Sequence, residues 1–252
     1  MMFASPKHSH QHSLEILNML QEYDEFMESI GTLVDLGCGT GQDIEWWATR
    51  TTRADNPQPL NIQCVGVDLN DQVFAPKQHK NISHQCVDFE NVIVLPDNKP
   101  FDVLWCHHSF QYAINPIDTL SRWRDIASDG AMLALTVPET QRIQHKKLMF
   151  TQASGVYYHY SIVNLIHMLA ITGWDCRGGF FKKNPTDPWI TAIVYKSHHK
   201  PMDPRTTTWY QLSEMGLLPE SATTSIQAHG ELQQQDLILP WLDHNLCWLG
   251  QY

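Results

Sequence analysis

Residues 33–43, Leu-Val-Asp-Leu-Gly-Cys-Gly-Thr-Gly-Gln-Asp, limit the possible folds more than any other stretch of the chain. A short apolar strand runs into three glycines at alternating positions, Gly37, Gly39 and Gly41. Lacking a Cβ, they let the backbone turn with φ > 0 and bring its N–H groups against a flat or charged ligand. Residues 43–49 then read as the first turns of a helix, so the loop ends at a positive helix N-terminus. The stretch is a ligand-cradling strand, loop and helix.

The spacing selects among ligands. A dinucleotide fingerprint is GxGxxG, and a phosphate loop ends in Gly-Lys-Ser/Thr. This chain has GxGxG with no following Lys, and Asp35 stands two positions before the first glycine. A carboxylate there repels a pyrophosphate and suits a cationic amine or sulfonium. The stretch resembles motif I of the class I S-adenosylmethionine-dependent methyltransferases, in which two apolar residues flank an Asp or Glu ahead of GxGxG.

That resemblance implies a Rossmann-like three-layer α/β/α sandwich with a seven-stranded, mostly parallel sheet. S-adenosyl-L-methionine is then the cofactor and S-adenosyl-L-homocysteine the product. Asp35, Gly37, Cys38, Gly39, Thr40 and Gly41 form the cofactor loop. Asp68, ending a second strand over 62–67, matches the carboxylate that accepts both ribose hydroxyls, and Leu69 the residue against the adenine face. Asp88 and Phe89, after a third strand over 82–87, match the adenine amino acceptor and its apolar cover. The run Phe101 to Cys106 resembles the fourth strand and delivers His107, His108 and Tyr112 to the carboxyl edge, where ligands bind in open α/β sheets. His107 also falls where the chain passes the cofactor.

Either histidine can orient an acceptor or take its proton, since imidazole titrates near neutrality. His159 is a third candidate base, and Tyr157 and Tyr158 beside it are candidate acceptor contacts in the insertion after a fifth strand over 131–137. A core aromatic cluster is the competing reading of those tyrosines. Beyond it the pattern predicts a helix over 162–171 and strands over 174–181 and 189–195, one of them antiparallel.

The domain division expected is an N-terminal arm and helix (1–30), the methyltransferase domain (31–197) and a helical C-terminal extension (198–252). A helix starts at Ser13 and stops at Gly31, either as a partial lid or packed on the sheet, and His8, His10 and His12 before it read as a solvated arm. The extension shows two helix-like pieces, over 206–217 and 233–249. Its apolar residues must be buried on the domain or in a contact with a second copy or a partner.

A formal charge of −10 over 252 residues disfavours nucleic acid, whose affinity comes largely from Lys and Arg. The Pro-Pro segment of nucleic-acid amino-methyltransferases is absent after the fourth strand, and no Pro-Cys pair serves a cysteine attack on C5 of cytosine. A small-molecule acceptor, methylated at O or N, is the reading favoured. Methylation of RNA or protein, or a partner subunit that binds cofactor without catalysing, are the alternatives. No apolar run spans a membrane, the first 12 residues hold no apolar signal core, and the six scattered cysteines suggest no disulfide framework, so a cytoplasmic location is expected. No carboxylate and His pair stands at ligand spacing, and no metal is expected.

Overall fold

The computed structural model describes residues 6–53, 56–70, 79–91, 99–139, 158–183 and 189–230, with backbone alone for 6–11 and 183. The centre of the sheet is β1 (Thr32–Leu36), buried along its whole length. Its side chains alternate between two cores: Val34 and Leu36 enter one, Leu33 the other. A strand covered on both faces reads as a continuous apolar run, and it pairs in parallel. On one side β1 pairs with β2 (Gln63–Val67), which pairs with β3 (Ile82–Gln85). On the other it pairs with β4 (Phe101–His107), followed by β5 (Ala127–Pro138).

The last two strands are β6 (Trp174–Lys183) and β7 (Trp189–Lys196). They complete a seven-stranded sheet in the order β3-β2-β1-β4-β5-β7-β6, with β7 antiparallel to both neighbours. The order reverses between β1 and β4, which opens a crevice beyond their carboxyl ends. Asp102 locks the opposite edge. Its carboxylate accepts from the Gly31 and Thr32 amides (2.9 and 3.0 Å), the Thr32 hydroxyl (3.0 Å) and Ser128 Oγ (2.9 Å), tying β1 and β5 to β4.

Helices α1 (Pro6–Leu20), α2 (Asp24–Ser29) and α3 (Gln42–Ala48) cover one face, where Ile16, Leu17, Met27 and Trp47 meet Val103 and Trp105. Helices α4 (Pro116–Ile126) and α5 (Ile162–Ile171) cover the other, with Leu120, Trp123 and Leu165 in the core. Asn115 and Ser161 cap their first turns through side-chain oxygens, and Pro116 follows Asn115 as a preset first residue.

Two expectations need correction. The first helix begins at Pro6 rather than Ser13 and breaks at residues 21–23 instead of running to Gly31. Ser13 is a fully buried residue inside it, and His12 is packed against the domain rather than solvated. In the C-terminal extension α6 (Trp209–Glu214) is shorter than read from sequence, and α7 (Glu220–His229) was not anticipated. Leu212, Leu217, Leu218, Ala222 and Ile226 enter the same core as α4 and α5, so this part of the extension folds back on its own domain. The second expected piece, 233–249, lies outside the described residues. No helix among the described residues is long and apolar enough to cross a membrane.

Candidate active site

The glycine loop crosses the crevice between β1 and β4. Gly37, Gly39 and Gly41 all have positive φ (82°, 50° and 81°), and Gly41 leads directly into α3. The turn is pinned to the neighbouring strand, since the amides of Gly37 and Cys38 both donate to the Val67 carbonyl (2.7 and 2.9 Å). A Cβ on Gly37 would stand 2.2 Å from Ser109 Oγ, so the loop after β4 touches the glycine backbone, and Ser109 donates to the Gly37 carbonyl (3.1 Å). A Cβ on Gly39 would meet nothing within 4 Å. The first glycine closes the protein against itself and the second faces open space.

Three carboxylates, Asp35, Asp43 and Asp68, lie near one another at the loop. Asp35 is buried on β1, and its Oδ2 has no hydrogen-bond partner. Burial, and then the neighbouring Asp43 and Asp68, hold its carboxyl well above the ordinary range. Asp43, in the first turn of α3, accepts from Ser13 Oγ (2.6 Å) and Trp105 Nε1 (2.9 Å), binding α1 and β4 to the loop. Asp68 follows β2; one oxygen accepts from the Gly39 amide (2.9 Å) and the other from the Asn70 amide (2.8 Å). A carboxylate has about four acceptor directions, so both oxygens keep capacity for a ligand hydroxyl. Leu69 beside it is 69% exposed. Thr40 and Cys38 are half-buried in the loop, and burial pushes the Cys38 thiol up.

Beyond β3, Asp88 accepts the Glu90 amide through Oδ1 (2.9 Å). Phe89 is partly buried, and its ring lies edge-on to Trp123 (5.9 Å between centroids) and packs against the core of α4 and α5. Its carbonyl accepts Trp123 Nε1 (2.9 Å), which fixes the turn.

The end of β4 carries a second cluster. His107 is buried and stacked on Trp105 (6.0 Å, 16°). His108 turns the chain with φ 59°, a left-handed conformation rarely adopted by a residue with a Cβ. Two bonds hold it there: its amide donates to the Thr136 carbonyl (3.2 Å), and its carbonyl accepts Gln111 Nε2 (2.7 Å). The His108 ring meets His107 (4.1 Å), Trp189 (3.9 Å) and His12 of α1 (5.6 Å), and its Nδ1 is buried without a hydrogen-bond partner. Burial, then His107 and His12, hold this imidazole well below its ordinary pKa, so it is neutral near pH 7.

Strand register sets His107, Thr136, Thr191 and Lys182 in a row across β4, β5, β7 and β6. Helix α1 crosses the row, with Glu15 paired to Lys182 (2.7 Å). The short turn Phe110–Tyr112 follows, where Tyr112 is half-buried and its phenol is raised by that burial. Tyr158 rests on this turn, its amide donating to the Gln111 carbonyl (3.3 Å) and its hydroxyl to the Ile114 carbonyl (3.1 Å). His159 is half-buried, which lowers its pKa. Tyr157 and the segment before it lie outside the described residues. Among the described residues no three His, Cys, Asp or Glu side chains converge as metal ligands.

The sequence reading missed Ser109, Trp189, Thr136 and the place of His12. His12, Ile16 and Leu20 share one helical face, a spacing that could have carried α1 past Ser13.

Residues 34–133, from the first strand through the glycine loop into the fifth, match the family model of a methyltransferase domain. No curated protein matches the chain. Among solved structures it resembles the YcgJ protein of Bacillus subtilis, with a TM-score of 0.55 and 12% identity over 75% of this chain and 100% of that one. It also resembles a chain in the complex between the Haloferax volcanii Trm112 methyltransferase activator and a methyltransferase, with a TM-score of 0.53 and 15% identity over 71% and 90% of the two chains. A third is the plantazolicin methyltransferase BpumL, in complex with a monoazolic desmethylPZN analogue and SAH, with a TM-score of 0.53 and 16% identity over 73% and 84%. The matched methyltransferase domain contains the glycine loop at the switch point of the strand order, and the sheet has the fold of these structures.

Proposed function

We propose that the chain methylates an O or N atom of a small-molecule acceptor and that His108 is its general base. The observation that carries this reading is the neutral, buried His108 imidazole with an unpartnered Nδ1, held in a strained backbone at the switch-point edge. Strain of this kind, overdetermined by surrounding bonds, concentrates at functional sites.

Bound S-adenosylmethionine supplies a methyl group on a sulfonium and leaves as S-adenosylhomocysteine. The residues present fit it. Asp35, a buried carboxylate, would face the cationic end, Asp68 would accept the ribose hydroxyls, Leu69 would cover the adenine and Asp88 would accept its amino group. Gly39 leaves room for close approach. With the cofactor bound, the acceptor atom would displace the sulfur from the methyl carbon, and Nδ1 of His108 would take the acceptor's proton. Alignment of the two reactants supplies up to about 7–11 kcal/mol of the rate enhancement, so little further side-chain chemistry is needed. His107 and Trp189 hold the base in place, and Tyr112 and Tyr158 line the acceptor side; His159 is the alternative base. The charge of −10 supports a small molecule over nucleic acid.

Calorimetric titration with S-adenosylmethionine, with NAD as control, tests the pocket, and transfer of labelled methyl to a panel of small alcohols, phenols and amines tests the acceptor class. His108→Asn keeps a residue that tolerates positive φ. It should retain cofactor binding and lose about 100-fold or more in transfer. Unchanged transfer by this variant refutes the base assignment, and transfer only to RNA or protein refutes the acceptor class.

A further inference from the structure

Glu90 spans two loops. It follows Asp88 and Phe89 in the turn after β3, and its own amide is held by Asp88 Oδ1. Its carboxylate reaches the segment after β4. One oxygen accepts the Ile114 amide (2.9 Å), and the other accepts the Asn115 amide (3.1 Å) and Thr119 Oγ1 (2.8 Å). From α4, Arg122 donates to the Glu90 carbonyl (2.9 Å). Ile114 is gripped from its other side by the Tyr158 hydroxyl on its carbonyl (3.1 Å). A continuous line of bonds thus runs from Asp88 through Glu90 and Ile114 to Tyr158. The Ile114 side chain at its middle is 71% exposed, so hydrogen bonds rather than core packing set its position.

We propose that Glu90 is a positioning residue that couples the cofactor side of the site to the acceptor side, ordering the 109–115 turn when the adenine end is occupied. This rests on the assignment of Asp88 to the adenine. A ligand held by Asp88 restrains the turn whose amide that carboxylate already accepts, and Glu90 transmits the restraint to the two amides it binds. An ionised Glu90 grips those amides best, and its surroundings favour that form. Burial alone would raise its pKa, but the Ile114 and Asn115 amides, the Thr119 hydroxyl and Arg122 bring it below the ordinary range. Charge-assisted hydrogen bonds are roughly twice as strong as neutral ones.

A merely structural Glu90 would cap the start of α4 equally with and without ligand. Hydrogen exchange of the full chain, free and saturated with S-adenosylmethionine, separates the two roles. In the parent protein the ligand should slow exchange several-fold both at 88–91 and at the Ile114 and Asn115 amides. In Glu90→Ala the slowing should persist at 88–91 and vanish at 114–115. Glu90→Gln, which keeps the shape and one acceptor oxygen, should keep the ligand-dependent slowing at one amide and lose it at the other, and it serves if the alanine variant does not fold. Slowing at 114–115 that survives in the variants, or that is absent from the parent while 88–91 is protected, overturns the coupling. Binding without protection at 88–91 instead overturns the Asp88 assignment, and the inference with it.

Discussion

Gly37 and Gly39 belong to one motif, yet they should respond differently to the same added methyl group. At Gly37 an alanine must adopt φ 82° and place its Cβ 2.2 Å from Ser109 Oγ and 2.3 Å from Ser109 Cβ. The left-handed conformation costs about 1–2 kcal/mol. Relieving the overlap costs about 1–3 kcal/mol as an overpacked contact. Moving Ser109 also breaks its bond to the Gly37 carbonyl, worth about 0.5–1.5 kcal/mol. Together the loss is roughly 3–6 kcal/mol, a large part of the roughly 5–15 kcal/mol that holds a protein folded. At Gly39 the Cβ meets nothing, so Gly39→Ala should cost only the backbone conformation, about 1–2 kcal/mol. Urea denaturation of both variants measures the difference, and calorimetry with S-adenosylmethionine measures what stability does not. Gly39→Ala should fold and bind the cofactor far more weakly, because its methyl would enter the open space beside the loop. Adding Ser109→Gly to Gly37→Ala should restore the overlap part of the loss and leave the conformational part. Equal destabilisation by the two single variants, or no recovery in the double variant, refutes the contact account; full cofactor affinity in Gly39→Ala refutes the placement of the ligand.

Asp35 predicts a proton linkage. Its carboxyl is held above the ordinary range by burial and by Asp43 and Asp68, so the free protein keeps it protonated at pH values where an exposed Asp is ionised. In stability this contribution is present below the unfolded pKa and is lost as pH rises through the folded one. A cationic cofactor beside it favours ionisation, so binding should release up to about one proton and strengthen as pH rises from the ordinary carboxylate range. Titration in two buffers of different ionisation enthalpy measures the release, and none in the parent, or the same release from Asp35→Asn, would contradict it. Ser13→Ala should test the anchoring of α1: losing a buried hydroxyl bonded to the Asp43 carboxylate (2.6 Å) should cost about 1.5–3 kcal/mol. Limited proteolysis should then cut within 6–20 sooner, and unchanged cleavage would show that the apolar face of α1 holds it alone.

What was legible in the sequence follows from how local the physics is. The glycine loop and its flanking strand are neighbours along the chain, and a turn needing positive φ leaves its mark in residue type; Asp68, 29 residues beyond Gly39, was legible only as the acidic end of a second apolar run. Asp102 lies in the run read as the fourth strand, and its reason emerges only in space, where it closes the amino ends of β1 and β5. Phe89 was legible as the residue after a strand, while its contact with Trp123, in a helix that approaches from elsewhere, was not. Trp189 was read only as the start of a strand, because its register opposite Pro138 brings it to the His108 ring across an antiparallel pair that no local pattern specifies. The same holds for Thr136, bonded to Thr191 55 residues away.

The clearest case is the N-terminal helix. Alternating histidines in a polar arm read as solvated, because the surface His12 covers does not exist until β4, β5 and β7 are assembled. Once they are, the helix contributes a ring to the His107 and His108 cluster, a hydroxyl to Asp43 and a carboxylate to Lys182. Glycine loops reveal what they bind because the backbone itself does the binding. The histidine cluster is assembled from separate strands and a preceding helix, which is why the glycine loop could be read from the chain and the surroundings of His108 required the fold.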